Sequence, residues 1–299
     1  MAVAHVLVAL CGGLGNQMFQ YAAGRALALR HLVPLLLDTS WYDNVVADTL
    51  RKYMLHAFPV QGRIAREDLV APFRCQSEKF HEIVVRKFLG RPRPLPIGLV
   101  KEPHFHHWEG LHLVQPPAYL VGYWQSEQYF ADYASVIRSD FKFPPLPDGV
   151  ARNVEQGIFE SPHPVAVHVR RGDYVSNPQA NATHGVCAAS YYGQAIAHVA
   201  EQHPGAKLFL FSDDPAWVCK HFDTQGLPAT VVDLAMSNEP WHDMHLMSLC
   251  KHHIIANSSF SWWGAWLGEK GGDVYAPKQW FVSSSKQGMS PCPERWNTL

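Results

Sequence analysis

Pro164-Val-Ala-Val-His-Val-Arg-Arg-Gly-Asp-Tyr174 is the stretch on which the reading of this chain turns. Its first half is short, β-branched and opened by proline, the signature of a buried strand. At the strand's carboxyl end the composition switches from aliphatic to charged. Successive side chains on a strand point to opposite faces, so His168 and Arg170 share one face and Arg171 takes the other. Gly172 then permits a sharp turn that returns Asp173 towards them. In α/β folds, ligands bind at the carboxyl edge of such strands. A guanidinium there suits a phosphate, because its planar fork holds two oxygens at once. The competing reading is an Arg–Asp surface pair at a strand end.

Working outward, the second half of the chain alternates regularly. A strand over 165–170, a helix over 189–203, a strand over 207–211, a helix over 215–222 and a strand over 229–232 are predicted in order. A helix over 240–250, a strand over 253–256, a helix over 260–268 and a strand over 273–276 complete the series. Such alternation implies parallel βαβ units. The first half opens with a strand over 4–10, a glycine-rich turn, and a helix whose Met18, Phe19, Ala22, Ala26 and Leu29 give one buried stripe. Leu35-Leu-Leu37 and Tyr119–Gln125 read as further strands, and residues 86–117 as long loops. Phe143-Pro-Pro-Leu-Pro147 is the stiff linker. The expectation is therefore two Rossmann-like α/β domains, 1–147 and 148–299, facing a central cleft.

The bulk numbers agree. At 299 residues the chain can bury two cores, and 47% hydrophobic against 17% charged residues marks a globular protein. A net charge of −1 gives no field to draw in nucleic acid, so any anion must be held by local groups. No apolar run reaches membrane-helix length, and no amphipathic anchor is evident. The six cysteines are dispersed without a C-x-x-C pair, as expected of free thiols in the cytoplasm. Asn181-Ala-Thr183 and Asn257-Ser-Ser259 are then accidental glycosylation matches.

Several strand ends carry chemistry. Gly12-Gly-Leu-Gly15 sits between a strand and a helix, where backbone N–H groups face a phosphate or sugar. It lacks the third glycine of a dinucleotide fingerprint and the lysine of a P-loop. Asn16 and Gln17 offer amides to a polyol, although a tight turn capped by Asn16 explains the same residues. Phe211-Ser-Asp-Asp214 ends another strand. Its adjacent acids fit a metal poorly: Pro215 makes Asp214 a helix cap, leaving Ser212 and Asp213 for ligand contact. His104-Phe-His-His107 has no partner spaced to complete a metal site. Asp243, in the first turn of a helix, complements its dipole. In Asn257-Ser-Ser-Phe260, Ser258 and Ser259 begin a helix directly after a strand, a third anion-friendly edge.

These motifs together resemble the α-1,2-fucosyltransferase family of inverting sugar transferases. The resemblance is carried by Gly12–Ala22, Gly122-Tyr-Trp-Gln-Ser126, His168–Tyr174, Ser212-Asp-Asp214, and Met247–Lys251 through Ser258–Trp266, in the family's order. It implies a GT-B-like fold whose second half binds GDP-β-L-fucose and whose first half presents a galactose-terminated oligosaccharide. It further implies inversion and neither metal nor cofactor, GDP-fucose being a co-substrate. Arg170 is expected on the diphosphate, His168 beside the nucleotide, Asp243 on the guanine edge, and Ser258, Ser259 and Phe260 at the phosphates. Gly15 and Asn16 approach from the facing domain, and Gln17 and Trp124 lie on the acceptor side. Asp173 is the candidate general base. Lipid-carried acceptors would place the protein at the inner membrane surface. The rivals are another GT-B sugar-nucleotide transferase and a non-catalytic glycan-binding module using the ten tryptophans.

Overall fold

The computed structural model describes residues 4–43, 51–74, 98–234, 239–268 and 270–299. Cys75 and the part of the proline-rich stretch before residue 98 lie outside them. The first half runs β1 (Val6–Ala9), α1 (Leu14–Arg30), β2 (Leu35–Asp38), β3 (Arg63–Ile64), α2 (Glu67–Arg74), β4 (Leu99–Lys101), β5 (Ala118–Val121) and α3 (Ala134–Asp140). Its strands form a parallel sheet in the order β3-β2-β1-β5-β4.

The second half begins with α4 (Val150–Phe159), β6 (His163–Val169), α5 (Gly172–Ser176), α6 (Pro178–His184) and α7 (Ala189–Gln202). It continues with β7 (Ala206–Ser212), α8 (Pro215–His221), β8 (Ala229–Val232), α9 (Trp241–Leu249), β9 (His252–Ile254), α10 (Ser259–Leu267), β10 (Val274–Ala276) and β11 (Asn297–Thr298). This sheet is also parallel, in the order β11-β10-β9-β6-β7-β8. Central β6 is buried almost throughout, with Val167 paired to Leu210 on one side and Ile254 on the other. An aliphatic run without alternation is what a strand covered on both faces requires.

Strand order fixes where the site must be. From β1 the chain builds outward through β2 and β3, then returns to β1's other side with β5. From β6 it builds through β7 and β8, then returns with β9. β1 and β6 are therefore the topological switch strands, beside which the connections diverge and leave a crevice. The glycine loop follows β1 and the Arg-Arg-Gly-Asp segment follows β6.

The structure departs from the sequence reading in several places, among them the stretch expected to be all loop, which contributes edge strand β4, and the strand expected over 119–125, which ends at Val121. Gly172 makes no tight turn; it opens the short helix α5, and Asp173 returns through one helical turn instead. Glycine is needed there for space, since a Cβ would come within 2.4 Å of Asp213 Oδ2. Helix α1 is buried on nearly every face rather than along one stripe, while Leu29 is only partly covered. It lies between its own sheet and α10: Phe19 meets Trp262 at 4.5 Å and Trp263 at 5.0 Å, ring centre to ring centre. Finally, the proline segment is irregular but packed down, with Phe143 stacked on His245 at 4.6 Å and Leu146 buried. One hydrophobic core thus runs from Leu10 and Phe19 to Trp262, Trp263, Trp266 and Ala276.

Candidate active site

A cavity of about 870 Å³ opens over the carboxyl ends of β1, β5, β6, β7, β8 and β9. That volume suits a ligand larger than a single sugar. Each wall is built by the segment leaving a strand's carboxyl end.

After β6, the Arg170 guanidinium donates to Asp173 Oδ1 at 2.6 Å and pairs with Asp213 Oδ2 at 3.1 Å. Burial works against its charge, and the two carboxylates more than offset this, so Arg170 stays protonated. Arg171 turns the other way, as strand alternation requires. It lies over the Trp217 ring at 3.7 Å and pairs with Asp214 at 3.5 Å, while its backbone N–H donates to Asp213 Oδ1 at 2.8 Å. Asp214 caps α8 by accepting from the Trp217 N–H at 3.1 Å, as expected. Ser212 and Asp213 line the cavity, but their polar atoms serve the protein itself. Ser212 Oγ donates to the Val169 carbonyl at 2.7 Å, tying β6 to β7, and Asp213 holds both arginines.

His168 is buried beside Arg170. Desolvation first, and Arg170 second, hold its pKa far below the ordinary range, so the imidazole is neutral. Its Nδ1 has no hydrogen-bond partner among the described residues. Asp243, at the start of α9, behaves oppositely: burial first, and Asp233 second, push its carboxyl up to about 7.

After β9, Ser258 caps α10 by accepting from the Phe260 N–H at 3.3 Å, and this helix terminus lines the cavity. Ser259 Oγ donates to Asn16 Oδ1 at 2.7 Å, and Gln125 Nε2 donates to the same oxygen at 2.8 Å. The Asn16 carbonyl is thereby occupied. Gly15 lies against the Ser259–Phe260 peptide, where a Cβ would fall 2.5 Å from the Ser259 carbonyl carbon. Trp263 Nε1 donates to the Gly15 carbonyl at 3.0 Å, so the glycine loop and α10 form one unit.

Two expected acceptor-side residues are misplaced by the sequence reading. Gln17 is fully buried and braces the loop, donating to the Gly12 and Lys52 carbonyls and accepting from the Met54 N–H at 2.9 Å. Trp124 is also fully buried, because its positive φ of 54° turns the indole into the core.

The structure adds residues that the motifs do not name. Arg51 reaches from the first half to Asp173 Oδ2 at 2.9 Å, so both oxygens of that carboxylate sit on guanidinium groups. Nothing in its neighbourhood's sequence announces this, since Arg51-Lys-Tyr carries no periodic or turn signal. Gln125, Tyr123 and Trp41 also line the cavity; the first two flank Trp124 in the Gly122–Ser126 motif. The described residues that gather like metal ligands, His163, His203 and His252, lie at the opposite, amino-terminal edge of the second sheet. His104 and His106 are exposed.

Comparison with known proteins adds to this geometry. An Escherichia coli α-1,2-colitosyltransferase is 33% identical over 292 residues, 97% of each chain. The E. coli O-antigen biosynthesis glycosyltransferase WbnK is 32% identical over 305 residues, 94% of this chain and 96% of that one. Among solved structures, POFUT1 in complex with GDP superposes with a TM-score of 0.52 at 11% identity, covering 92% of this chain and 98% of that one. That likeness is one of fold, and the architecture is GT-B-like. Residues 104–298 match glycosyl transferase family 11. With its cleft, its strand-end motifs and relatives matched along nearly their full length, the chain belongs to glycosyl transferase family 11, among the α-1,2-fucosyltransferases and their kin.

Proposed function

We propose that the protein transfers L-fucose from GDP-β-L-fucose to the 2-hydroxyl of a terminal galactose, with inversion and without metal or cofactor. Residues 148–299 form the donor domain and 1–147 the acceptor domain. The observation that carries this is the convergence of Arg170 and the Ser258–Phe260 helix terminus on one cavity, with Gly15 and Asn16 on the facing wall. A cation and the positive end of a helix in one crevice describe a diphosphate site, for which a glycan-binding module has no use.

Cleavage at the anomeric carbon leaves negative charge on the departing diphosphate. Arg170 and the α10 N–H groups stabilise that charge, and removing one such donor costs about 10²–10³ in rate. Asp243 reads the guanine edge by accepting from the base's N–H groups. His168, neutral and buried, lies beside the nucleotide as a hydrogen-bonding group rather than a proton carrier. Asp173 holds Arg170 and Arg51 in register, and would have to release one of them to take the acceptor's proton.

Turnover of GDP-fucose on lactose or N-acetyllactosamine, with linkage read by NMR, tests this reading. Failure to bind GDP in calorimetry overturns it. A second reading is favoured by the α-1,2-colitosyltransferase relative: the donor sugar is colitose, which is fucose without its 3-hydroxyl. A site that hydrogen-bonds a hydroxyl rejects the analogue lacking it by up to about 10⁴. Competition between the two GDP-sugars therefore separates the readings. No described helix is long and apolar enough to cross a membrane.

A further inference from the structure

The geometry points to Trp41 and Tyr123 as the two walls of an acceptor subsite, clasping the apolar face of a pyranose above the glycine loop. This inference rests on the proposed transfer reaction and supplies the acceptor contacts that Gln17 and Trp124 do not.

Both residues lie just beyond strands that flank β1. Trp41 comes after β2 and Tyr123 after β5, while Gly12 follows β1 between them. Adjacent strands lie about 4.8 Å apart, so β2 and β5, from whose ends the two residues leave, run roughly 10 Å apart on either side of β1. They are 41% and 46% exposed, and both line the cavity. Part-exposed aromatic groups inside a cavity are available to a ligand's apolar face.

Both residues are anchored, Trp41 through its ring and Tyr123 through its backbone. Trp41 packs edge-on against Tyr42 at 5.0 Å, and the Tyr42 hydroxyl donates to the Gly12 carbonyl at 3.1 Å, fastening this wall to the loop. On the other side, Glu102 accepts from the Tyr123 N–H at 2.7 Å and the Trp124 N–H at 3.0 Å. Trp124 adopts a left-handed backbone, which a tryptophan takes up only where its surroundings impose it. The kink sends the Trp124 indole inward against Tyr129 at 5.5 Å and leaves Tyr123 facing the cleft. Strained backbone clamped by a carboxylate is a device for aiming one side chain.

The ligand chemistry comes from the lining. Aromatic faces accept the C–H side of a sugar ring, and galactose presents such a side at carbons 3, 4 and 5. Gln125 and Asn16 hold each other through Nε2 and Oδ1, which turns the Gln125 Oε1 and Asn16 Nδ2 to its hydroxyls.

The test uses the full chain with Trp41→Ala, Trp41→Phe and Tyr123→Ala, measuring acceptor KM, kcat at saturating acceptor, GDP affinity and donor hydrolysis. Trp41→Ala and Tyr123→Ala are expected to raise acceptor KM about tenfold or more, equivalent to about 1.4 kcal/mol each. GDP affinity and hydrolysis should stay within about twofold, and Trp41→Phe should recover most of the loss. Both side chains are exposed enough for their variants to fold, and thermal melts of each variant check this. Unchanged acceptor KM in Trp41→Ala, or an equal loss of GDP affinity, overturns the subsite. Absence of any GDP-sugar turnover by the unmodified protein instead overturns the transfer reading on which it rests.

Discussion

Replacing Asp243 by Asn should make the protein more stable and, at the same time, a poorer binder of GDP. In the folded chain the Asp243 carboxyl is pushed from 3.8 up to about 7, by burial first and Asp233 second. Between those values the folded protein keeps a proton that the unfolded chain has released. Asp243's contribution therefore declines as pH rises from about 4 to about 7, and above 7 the buried charge opposes folding in full. The gap corresponds to at most about 4 kcal/mol. Asn carries no charge, so the variant's advantage should be nearly full at pH 8, roughly two-fifths of that at pH 5, and gone by about pH 3. A quarter of that ceiling would raise Tm by roughly 2 °C or more. Binding should move the other way. A carboxylate accepting from two N–H groups of guanine is worth about 1.5–3 kcal/mol per bond, and Asn can keep only one of them. The expected loss in GDP affinity is about 10²-fold. In the unmodified protein, affinity should weaken about tenfold per pH unit below 7, whereas the variant should be flat. Thermal melts at pH 5 and 8, with calorimetric titration of GDP across that range, check both arms. An equal Tm change at both pH values, or undiminished GDP affinity, would refute the reasoning.

Arg170→Ala should leave a folded protein with kcat reduced about 10²–10³-fold, whereas Arg171→Ala should act through stability because its guanidinium stacks on Trp217 and pairs with Asp214. Equal activity loss with intact melting in both would contradict this division. Gly15→Ala should destabilise by about 1–3 kcal/mol, read by chemical denaturation, because the methyl meets backbone that cannot yield; a neutral result would mean the two halves can separate. Asp173→Asn should lower kcat without altering the shape of the pH–rate profile, as expected of a positioning residue. Disappearance of the profile's acidic limb would make Asp173 the base.

The second sheet is readable because each strand is a short aliphatic run, and its helices either are long enough to show their period or, like α8, open on a cap-and-proline pair, Asp214-Pro215. The predicted strand over 165–170 runs His163–Val169, and the helix predicted over 189–203 runs Ala189–Gln202. Helices α5 and α6 escape for the converse reason: at five and seven residues they show no apolar stripe. Their one signal is Asn177-Pro178, where Asn177 accepts from the Gln179 and Ala180 N–H groups and proline opens the helix. In the site, residues immediately after strands are legible because strand alternation fixes their direction. Gln17 and Trp124 are not. A polar amide suggests solvent, yet that of Gln17 satisfies buried backbone, and a positive φ at tryptophan has no sequence signature. Arg51 is invisible in the sequence because it meets Asp173 only once both sheets are in place.

The aromatic packing of Phe19 against Trp262 and Trp263 has a consequence for how the molecule breathes. Because the seam between the sheets is itself hydrophobic interior, opening the crevice like a hinge would wet several indole rings at once. Substrates must come and go through the mouth of a fixed vise. By the same logic, a fragment holding either sheet alone would present a sticky aromatic wall and aggregate rather than fold. Heating should melt both halves in a single transition.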